Sequence, residues 1–398
     1  MNPRLEMLQP YPFERMRGLM AGVTPNPDLG HISLSLGEPK HPAPEFVLRT
    51  LADRDFLARQ LGNYPATRGS DELRAAVAAW VTKRFGPALD ADTEALPVNG
   101  TREALFALAQ ALLSGRDDAL VLMPNPFYQI YEGAALLGGA QPYYVNNQPD
   151  ASYQQDFSSI PAAVWNRTEL VYICSPGNPT GQVMPQAQMI ELIHLAHEYD
   201  FMIASDECYS EIYFDDATPP GSILDASNAC GNPSFARCVA FHSLSKRSNL
   251  PGLRSGFVAG DAQLLARFLS YRTYHGCAMS AHHQAVSALA WQDEEHVLAN
   301  RQLYRDKFTA VSQLLAPHFP LIQPEGGFYH WLATPMDERV FAQRLLAERA
   351  ITVMPGSFLA RETAAGNPGR GHVRVAWVAE PEECIAAAQR LVEFAQSG

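Results

Sequence analysis

Glu169-Leu170-Val171-Tyr172-Ile173-Cys174 and Phe201-Met202-Ile203-Ala204-Ser205, separated by a helical stretch over 186–198, decide the fold class. Both runs are short, apolar and rich in β-branched and aromatic residues. The periodic segment between them is long enough for a crossover helix, so the pattern predicts a βαβ unit whose two strands run parallel. Their C-terminal ends then share one edge, which is where ligands of open α/β sheets sit. Asn178 and Asp206 follow those ends directly. A further run ending at His242 is expected to join the same edge and to deliver Ser243 and Lys246 beside them.

Strand candidates at 119–123, 141–145, 169–174, 201–205, 237–242 and 255–259 alternate with helical patterns from residue 70 to 260. This predicts an α/β fold, a mostly parallel sheet covered by helices on both faces. Only about a dozen residues, Pro251 and Gly252 among them, precede Gly256-Phe257-Val258-Ala259, too few for a crossover helix, so that strand is predicted antiparallel. No G-x-G-x-x-G follows the first strand, which removes support for a plain dinucleotide fold. Ser70 is placed to cap a helix carrying Leu73, Val77, Trp80 and Val81 on one face and ending at Gly86. A second helix opens at Asn99-Gly100-Thr101. Beyond residue 262 come a periodic stretch around 279–316 and strand-like segments at 327–332 and 372–378. The expected division is a large domain over 45–285 and a small α+β domain built from 1–44 with 286–398.

A chain of 398 residues exceeds one ordinary core. Thirty basic against forty-two acidic residues leave a net charge of -12, with no Lys/Arg cluster to attract a phosphate backbone, so nucleic acid is not an expected partner. Any anionic substrate must rely on a few arginines placed inside the site. Apolar stretches are interrupted well before the ~20 residues of a spanning helix, so no membrane segment is expected. Met1 to Arg17 carries Arg4, Glu6, Glu14, Arg15 and Arg17 and forms no leader-peptide core, which predicts a cytoplasmic protein. The six cysteines lack metal or disulfide spacing and read as reduced thiols, and the histidine pairs 194/197 and 282/283 lack a third ligand, so no metal is expected.

The most specific feature is Ser243-Leu244-Ser245-Lys246 followed by Pro251-Gly252-Leu253-Arg254-Ser255-Gly256. A lysine alone is normally a solvated surface charge. This one lies between an apolar strand and a Gly-Pro loop, with hydroxyls beside it and an arginine eight residues on, a setting suited to an anionic cofactor bearing an aldehyde. Asn99-Gly100-Thr101-Arg102 places a glycine turn at a helix start, a ready anion site through its free N–H groups. Other positions have bland alternatives on pattern alone. Asp206 can be a helix cap, Tyr128 in Pro126-Phe127-Tyr128 a core aromatic, and Arg374 in His372-Val373-Arg374-Val375-Ala376-Trp377 an edge-strand arginine. Ser175-Pro176-Gly177-Asn178-Pro179-Thr180-Gly181 is a loop by composition.

In this order, and over nearly the whole chain, these segments resemble the fold-type-I (class I/II) aminotransferases that depend on pyridoxal 5′-phosphate. The resemblance implies that Lys246 is the Schiff-base lysine and the general base, that Asp206 pairs with the pyridinium nitrogen, and that Tyr209 in Ser205-Asp206-Glu207-Cys208-Tyr209 and Asn178 donate to the ring's phenolic oxygen. It implies Ser243, Arg254 and the amides of Gly100, Thr101 and Arg102 around the phosphate, and Tyr128 stacked on the ring. Arg374 becomes the clamp on the substrate α-carboxylate, with the backbone of Gly37 in Leu36-Gly37-Glu38-Pro39 closing the other side. Tyr64, in Asn63-Tyr64-Pro65-Ala66-Thr67-Arg68-Gly69, resembles the tyrosine that reaches the phosphate of a neighbouring subunit, which implies a homodimer with shared sites. Glu207 and Cys208 are expected to serve local structure and Phe127 the core.

Implied substrates are amino acids and 2-oxo acids. The run Pro10-Tyr11-Pro12-Phe13-Glu14-Arg15, with Ser33-Leu34-Ser35-Leu36-Gly37-Glu38-Pro39-Lys40-His41-Pro42, resembles proteobacterial succinyldiaminopimelate aminotransferases of lysine biosynthesis. That likeness implies N-succinyl-L,L-2,6-diaminopimelate as donor and 2-oxoglutarate as acceptor, with Lys40, Arg68 and Arg102 as candidates for the donor's remote carboxylate. Lys40 stands where many relatives have an aspartate. Alternatives on the same scaffold are a general aspartate or aromatic aminotransferase and a carbon–sulfur lyase. A regulatory binding module would need a basic DNA-binding extension, and no such segment precedes the resemblance.

Overall fold

The computed structural model describes residues 1–147 and 153–397. Its twelve strands are β1 (Ile32–Ser33), β2 (Ala95–Val98), β3 (Leu120–Asn125), β4 (Gln141–Asn146), β5 (Thr168–Cys174), β6 (Met202–Asp206), β7 (Cys238–Ser243), β8 (Gly256–Gly260), β9 (Tyr329–Ala333), β10 (Ile351–Thr352), β11 (Met354–Pro355) and β12 (His372–Ala376). Seven of them form one sheet in the order β2-β8-β7-β6-β5-β3-β4. Only β8 runs against its neighbours, β2 and β7, as the short connection before it requires. All other pairs are parallel. The six expected strands of this sheet are all present. The seventh, β2, has four residues and a central proline, too short and too irregular for a period-two signal.

Local chemistry sets the helices that frame the sheet. The Ser70 hydroxyl accepts from the amide of Leu73, Asp71 and Glu72 occupy the first turn of Asp71–Phe85, and Lys83 and Arg84 the last. Both ends therefore suit the helix dipole, and Gly86 at φ +99 stops the helix where a side chain would be strained. Leu73, Val77, Trp80 and Val81 are buried against one face of the sheet, and the helix Gln186–Tyr199 crosses between β5 and β6 on that face. Leu105, Leu108, Tyr131 and Phe268 fill the other face.

A second core lies around the antiparallel sheet β11-β12-β9 and contains Ile32, Leu34, Tyr304, Phe328, Trp377 and Leu391. The N-terminal segment joins it because β1 pairs with β10. The helix Ala281–Gln292 spans the expected division at 285/286, and its Val286, Ala290 and Trp291 pack with the large-sheet core. Among the described residues no helix is long and apolar enough to cross a membrane.

Candidate active site

Strand register brings the expected residues to one edge. Cys174 pairs with Asp206, Asp206 with Phe241, and Ser243 with Gly256, so the ends of β5, β6 and β7 and the start of β8 lie side by side. Over that edge opens a cavity of about 570 Å³. Thr101, Arg102, Tyr128, Asn178, Asp206, Tyr209, Ser243, Lys246 and Arg254 line it from the large sheet, and Gly37 and Arg374 from the other core. Gly100 stands immediately outside, at the head of the helix Thr101–Leu112.

Lys246 Nζ donates to the carbonyl of Gly37 at 2.7 Å and approaches the Phe328 and Tyr209 rings. It has no carboxylate partner among the described residues. Burial therefore dominates, lowering its pKa to about 8, with the positive Arg374 and Arg254 acting in the same direction. Asp206 accepts from the Tyr131 hydroxyl at 2.7 Å and the Cys208 amide at 3.3 Å. Burial raises its pKa while those donors oppose the shift. Tyr131 is itself fixed by stacking on Tyr172, ring centroids 4.7 Å apart.

Arg374 is buried yet meets only neutral acceptors: Nη1 donates to Asn178 Oδ1 at 3.0 Å and Nη2 to the Ser35 carbonyl at 2.8 Å. Its Nε–H is buried without a partner. The Tyr329 ring lies 4.5 Å beneath the guanidinium, and the Tyr329 and Tyr209 hydroxyls are 3.0 Å apart. Gly37 is required for this packing, since a Cβ there would fall 1.9 Å from the Tyr329 hydroxyl oxygen.

Gly100 is required for a different reason. At φ 82, ψ 150 it occupies a region open almost only to glycine, and a Cβ would fall 2.3 Å from Arg254 Nη2. The guanidinium lies against Gly100, the residue that caps the helix Thr101–Leu112. Arg254 donates from Nη1 to the Pro251 carbonyl at 2.8 Å, and among the described residues it forms no ion pair. The Ser243 hydroxyl accepts from the Ser245 amide and donates to the Ser255 carbonyl. Gly100→Ala is expected to weaken binding of the anionic group seated here by about 1–3 kcal/mol, from backbone strain and displacement of Arg254. Titration of the apoprotein with cofactor measures it, and an unchanged Kd would contradict the assignment.

Arg102 turns its side chain to the N-terminal segment, donating to the Tyr11 hydroxyl at 3.0 Å. Arg68 is tied to Asp92 and Lys40 is exposed, and neither lines the cavity. Tyr64 is fully exposed, outside this chain's cavity. Phe127 lies in the core as expected and also borders the cavity. Cys208, expected to serve local structure, lines the cavity as well, its Sγ 3.0 Å from Thr101 Oγ1. Tyr131, Tyr329, Tyr11 and Phe13 were not anticipated. The only available signal for Tyr131 was its spacing, three residues after Tyr128, which precedes the helix Ile130–Gly138.

A sheet of this order, with a basic cavity at its C-terminal edge completed by a second core, defines a fold-type-I pyridoxal-phosphate enzyme. Within that class the chain belongs to the family Aminotransferase class I and II, whose model matches residues 30–391. It is similar to the LL-diaminopimelate aminotransferase of Desulforudis audaxviator, 29% identical over 98% of this chain and 96% of that protein. It is also similar to the 4-dedimethylamino-4-oxo-anhydrotetracycline transaminase OxyQ of Streptomyces rimosus, 33% identical over 96% and 99%. Among solved structures, an aminotransferase from Neisseria meningitidis has a TM-score of 0.94 at 47% identity, covering 99% of this chain and 100% of its own. A probable N-succinyldiaminopimelate aminotransferase from Thermus thermophilus has a TM-score of 0.84 at 27% identity, covering 96% and 99%.

The chain is thus an aminotransferase, and its cofactor is pyridoxal 5′-phosphate. The donor set fits that group. Among the described residues the cavity's cations, Lys246, Arg254, Arg374 and Arg102, have no carboxylate partners, and its buried carboxylate, Asp206, meets neutral donors only. An aldehyde, a phosphate and a basic ring nitrogen are the complementary chemistry.

Proposed function

We propose that this enzyme transfers the amino group of N-succinyl-L,L-2,6-diaminopimelate to 2-oxoglutarate, giving the 6-oxo product and L-glutamate, as a cytoplasmic homodimer. The observation that carries the amino-acid part is Arg374, a buried guanidinium with an unspent Nε–H and no carboxylate of its own. A substrate α-carboxylate supplies the missing anion. Support for the long donor comes from the N-terminal run, whose Tyr11, Pro12 and Phe13 line the cavity, and from the diaminopimelate activities in the names of the relatives above. The names of several relatives specify LL-diaminopimelate, which makes the unsuccinylated compound the second reading.

When bound, pyridoxal 5′-phosphate supplies an aldehyde that joins the substrate amino group and a ring that disperses the electrons left at the α-carbon. In this reading Arg254, Ser243 and the amides of Gly100, Thr101 and Arg102 hold its phosphate, and Tyr128 packs on its ring. Asp206 holds a proton on the ring nitrogen, and Asn178 and Tyr209 donate to the phenolic oxygen. Lys246 would hold the cofactor at rest and, once released, would be the base for the proton on the substrate α-carbon. Arg374 and Gly37 orient the substrate so that this C–H bond faces Lys246. Tyr64 serves the site of a second copy.

Arg374→Lys keeps the charge but loses the fork, so KM for the amino donor is expected to rise about 10- to 100-fold while the cofactor Kd stays constant. Loss of cofactor instead would move Arg374 to the phosphate site. The function itself is tested with the holoenzyme, a panel of amino donors and 2-oxoglutarate. Glutamate formation supports transamination, whereas ammonia and pyruvate from a cysteine-type substrate would favour the lyase.

A further inference from the structure

We propose that Arg15 is a specificity residue that pairs with the anionic group at the far end of the amino donor; the inference rests on the long, dicarboxylate donor proposed above. Tyr11, Pro12 and Phe13 line the cavity, and the helix Pro12–Met20 begins there, with Glu14 Oε2 accepting from the Tyr11 amide. Arg15 lies three residues after Pro12 and four after Tyr11, on the same side of that first turn. Its guanidinium sits 4.2 Å from the centre of the Phe358 ring, and Leu359, the next residue, lines the same cavity. Arg15 and Phe358 do not themselves line the cavity, but each lies close in sequence to a segment of its wall, Tyr11 to Phe13 and Leu359.

The charges around it do not balance. Arg361 is neutralised by Glu132 through contacts of 2.6 and 2.7 Å, and Arg339 by Asp337 at 3.0 Å. Arg15, partly buried, stacks on Phe358 but has no hydrogen-bonding or ion-pair partner among the described residues. Burial lowers its pKa, and the Arg361 and Arg339 charges lower it further, opposed in part by the Glu132 charge that Arg361 already engages. A partly desolvated guanidinium beside two others gains from an anion, and its planar fork suits a carboxylate. Arg17, two residues on, is exposed to water and under no such constraint. With Arg374 taking the α-carboxylate and Arg102 engaged by the Tyr11 hydroxyl, Arg15 is a cation with no hydrogen-bonding partner of its own among the described residues, available to a second, remote one.

The test uses the purified holoenzyme with 2-oxoglutarate and two donors of similar length, L-2-aminopimelate with a terminal carboxylate and L-norleucine without one. For Arg15→Gln the ratio of kcat/KM for aminopimelate over norleucine is expected to fall about 10- to 100-fold, the worth of a charge-assisted pair. Arg15→Lys, which retains the charge, is expected to restore part of that ratio and serves as the reading if the glutamine variant does not fold. An unchanged ratio, or equal loss on both donors, overturns the proposal. Wild-type enzyme that turns over N-succinyl-L,L-diaminopimelate no better than aspartate would instead defeat the substrate reading, and the aminopimelate ratio would still decide the role of Arg15.

Discussion

Lys246→Ala is expected to lower kcat for transamination by about 10⁴-fold or more, because one side chain both holds the cofactor and moves the substrate proton. Its neighbours cannot substitute. The other cations lining the cavity are guanidiniums, Arg102, Arg254 and Arg374, and none is a primary amine that can join an aldehyde. The variant should still bind cofactor through the Arg254 and Gly100 end of the site, but without the visible absorbance of the lysine-bound form. Retention of that band in the variant would contradict the assignment. The pH dependence follows from the same environment. Burial lowers the Lys246 pKa to about 8 in the free protein, and only the neutral amine attacks an aldehyde. The rate of cofactor loading should therefore rise with pH and level off above about 8, instead of rising toward the range of a solvated lysine.

Asp206→Asn is expected to cost about 10²- to 10³-fold in kcat while leaving the fold intact, comparable to removing one preorganised electrostatic partner. The amide matches the carboxylate in shape but cannot hold a positive ring nitrogen. In the free protein the carboxylate is buried and meets only the Tyr131 hydroxyl and the Cys208 amide, so burial raises its pKa. Its charge is a stability cost there, and the asparagine variant should melt at the same temperature or higher. Stopped-flow turnover and a thermal melt on one preparation check both halves. Full activity in the variant, or a large fall in Tm, would mean that Asp206 is structural.

Much of this was legible in the sequence because the decisive elements are local. The runs at 169–174 and 201–205 are apolar enough to be strands, and the connection before Gly256 is too short to be anything but antiparallel. Residues that follow strand ends, Asn178, Asp206 and Lys246, were therefore placed by topology before any contact was known. What escaped was set by contacts distant in sequence. Tyr329 matters because Arg374 lies over it and Gly37 leaves it room, facts joined only when three separate segments pack. β1 and β10 have two residues each and exist through their pairing with one another, so neither has a pattern of its own. Cys208 looked like filler between Asp206 and Tyr209, yet the turn after β6 points it at Thr101. Arg68 lies outside this chain's cavity and is engaged by Asp92, twenty-four residues on, a pairing that its local sequence does not announce.

The most direct test of the proposed function is the set of specificity constants for N-succinyl-L,L-diaminopimelate, L,L-diaminopimelate, aspartate and tyrosine, each measured with 2-oxoglutarate on the holoenzyme. The succinylated donor is predicted to have the highest kcat/KM, with glutamate as the second product. A higher value for aspartate or tyrosine, or for unmodified L,L-diaminopimelate, would contradict that substrate while leaving the chain an aminotransferase.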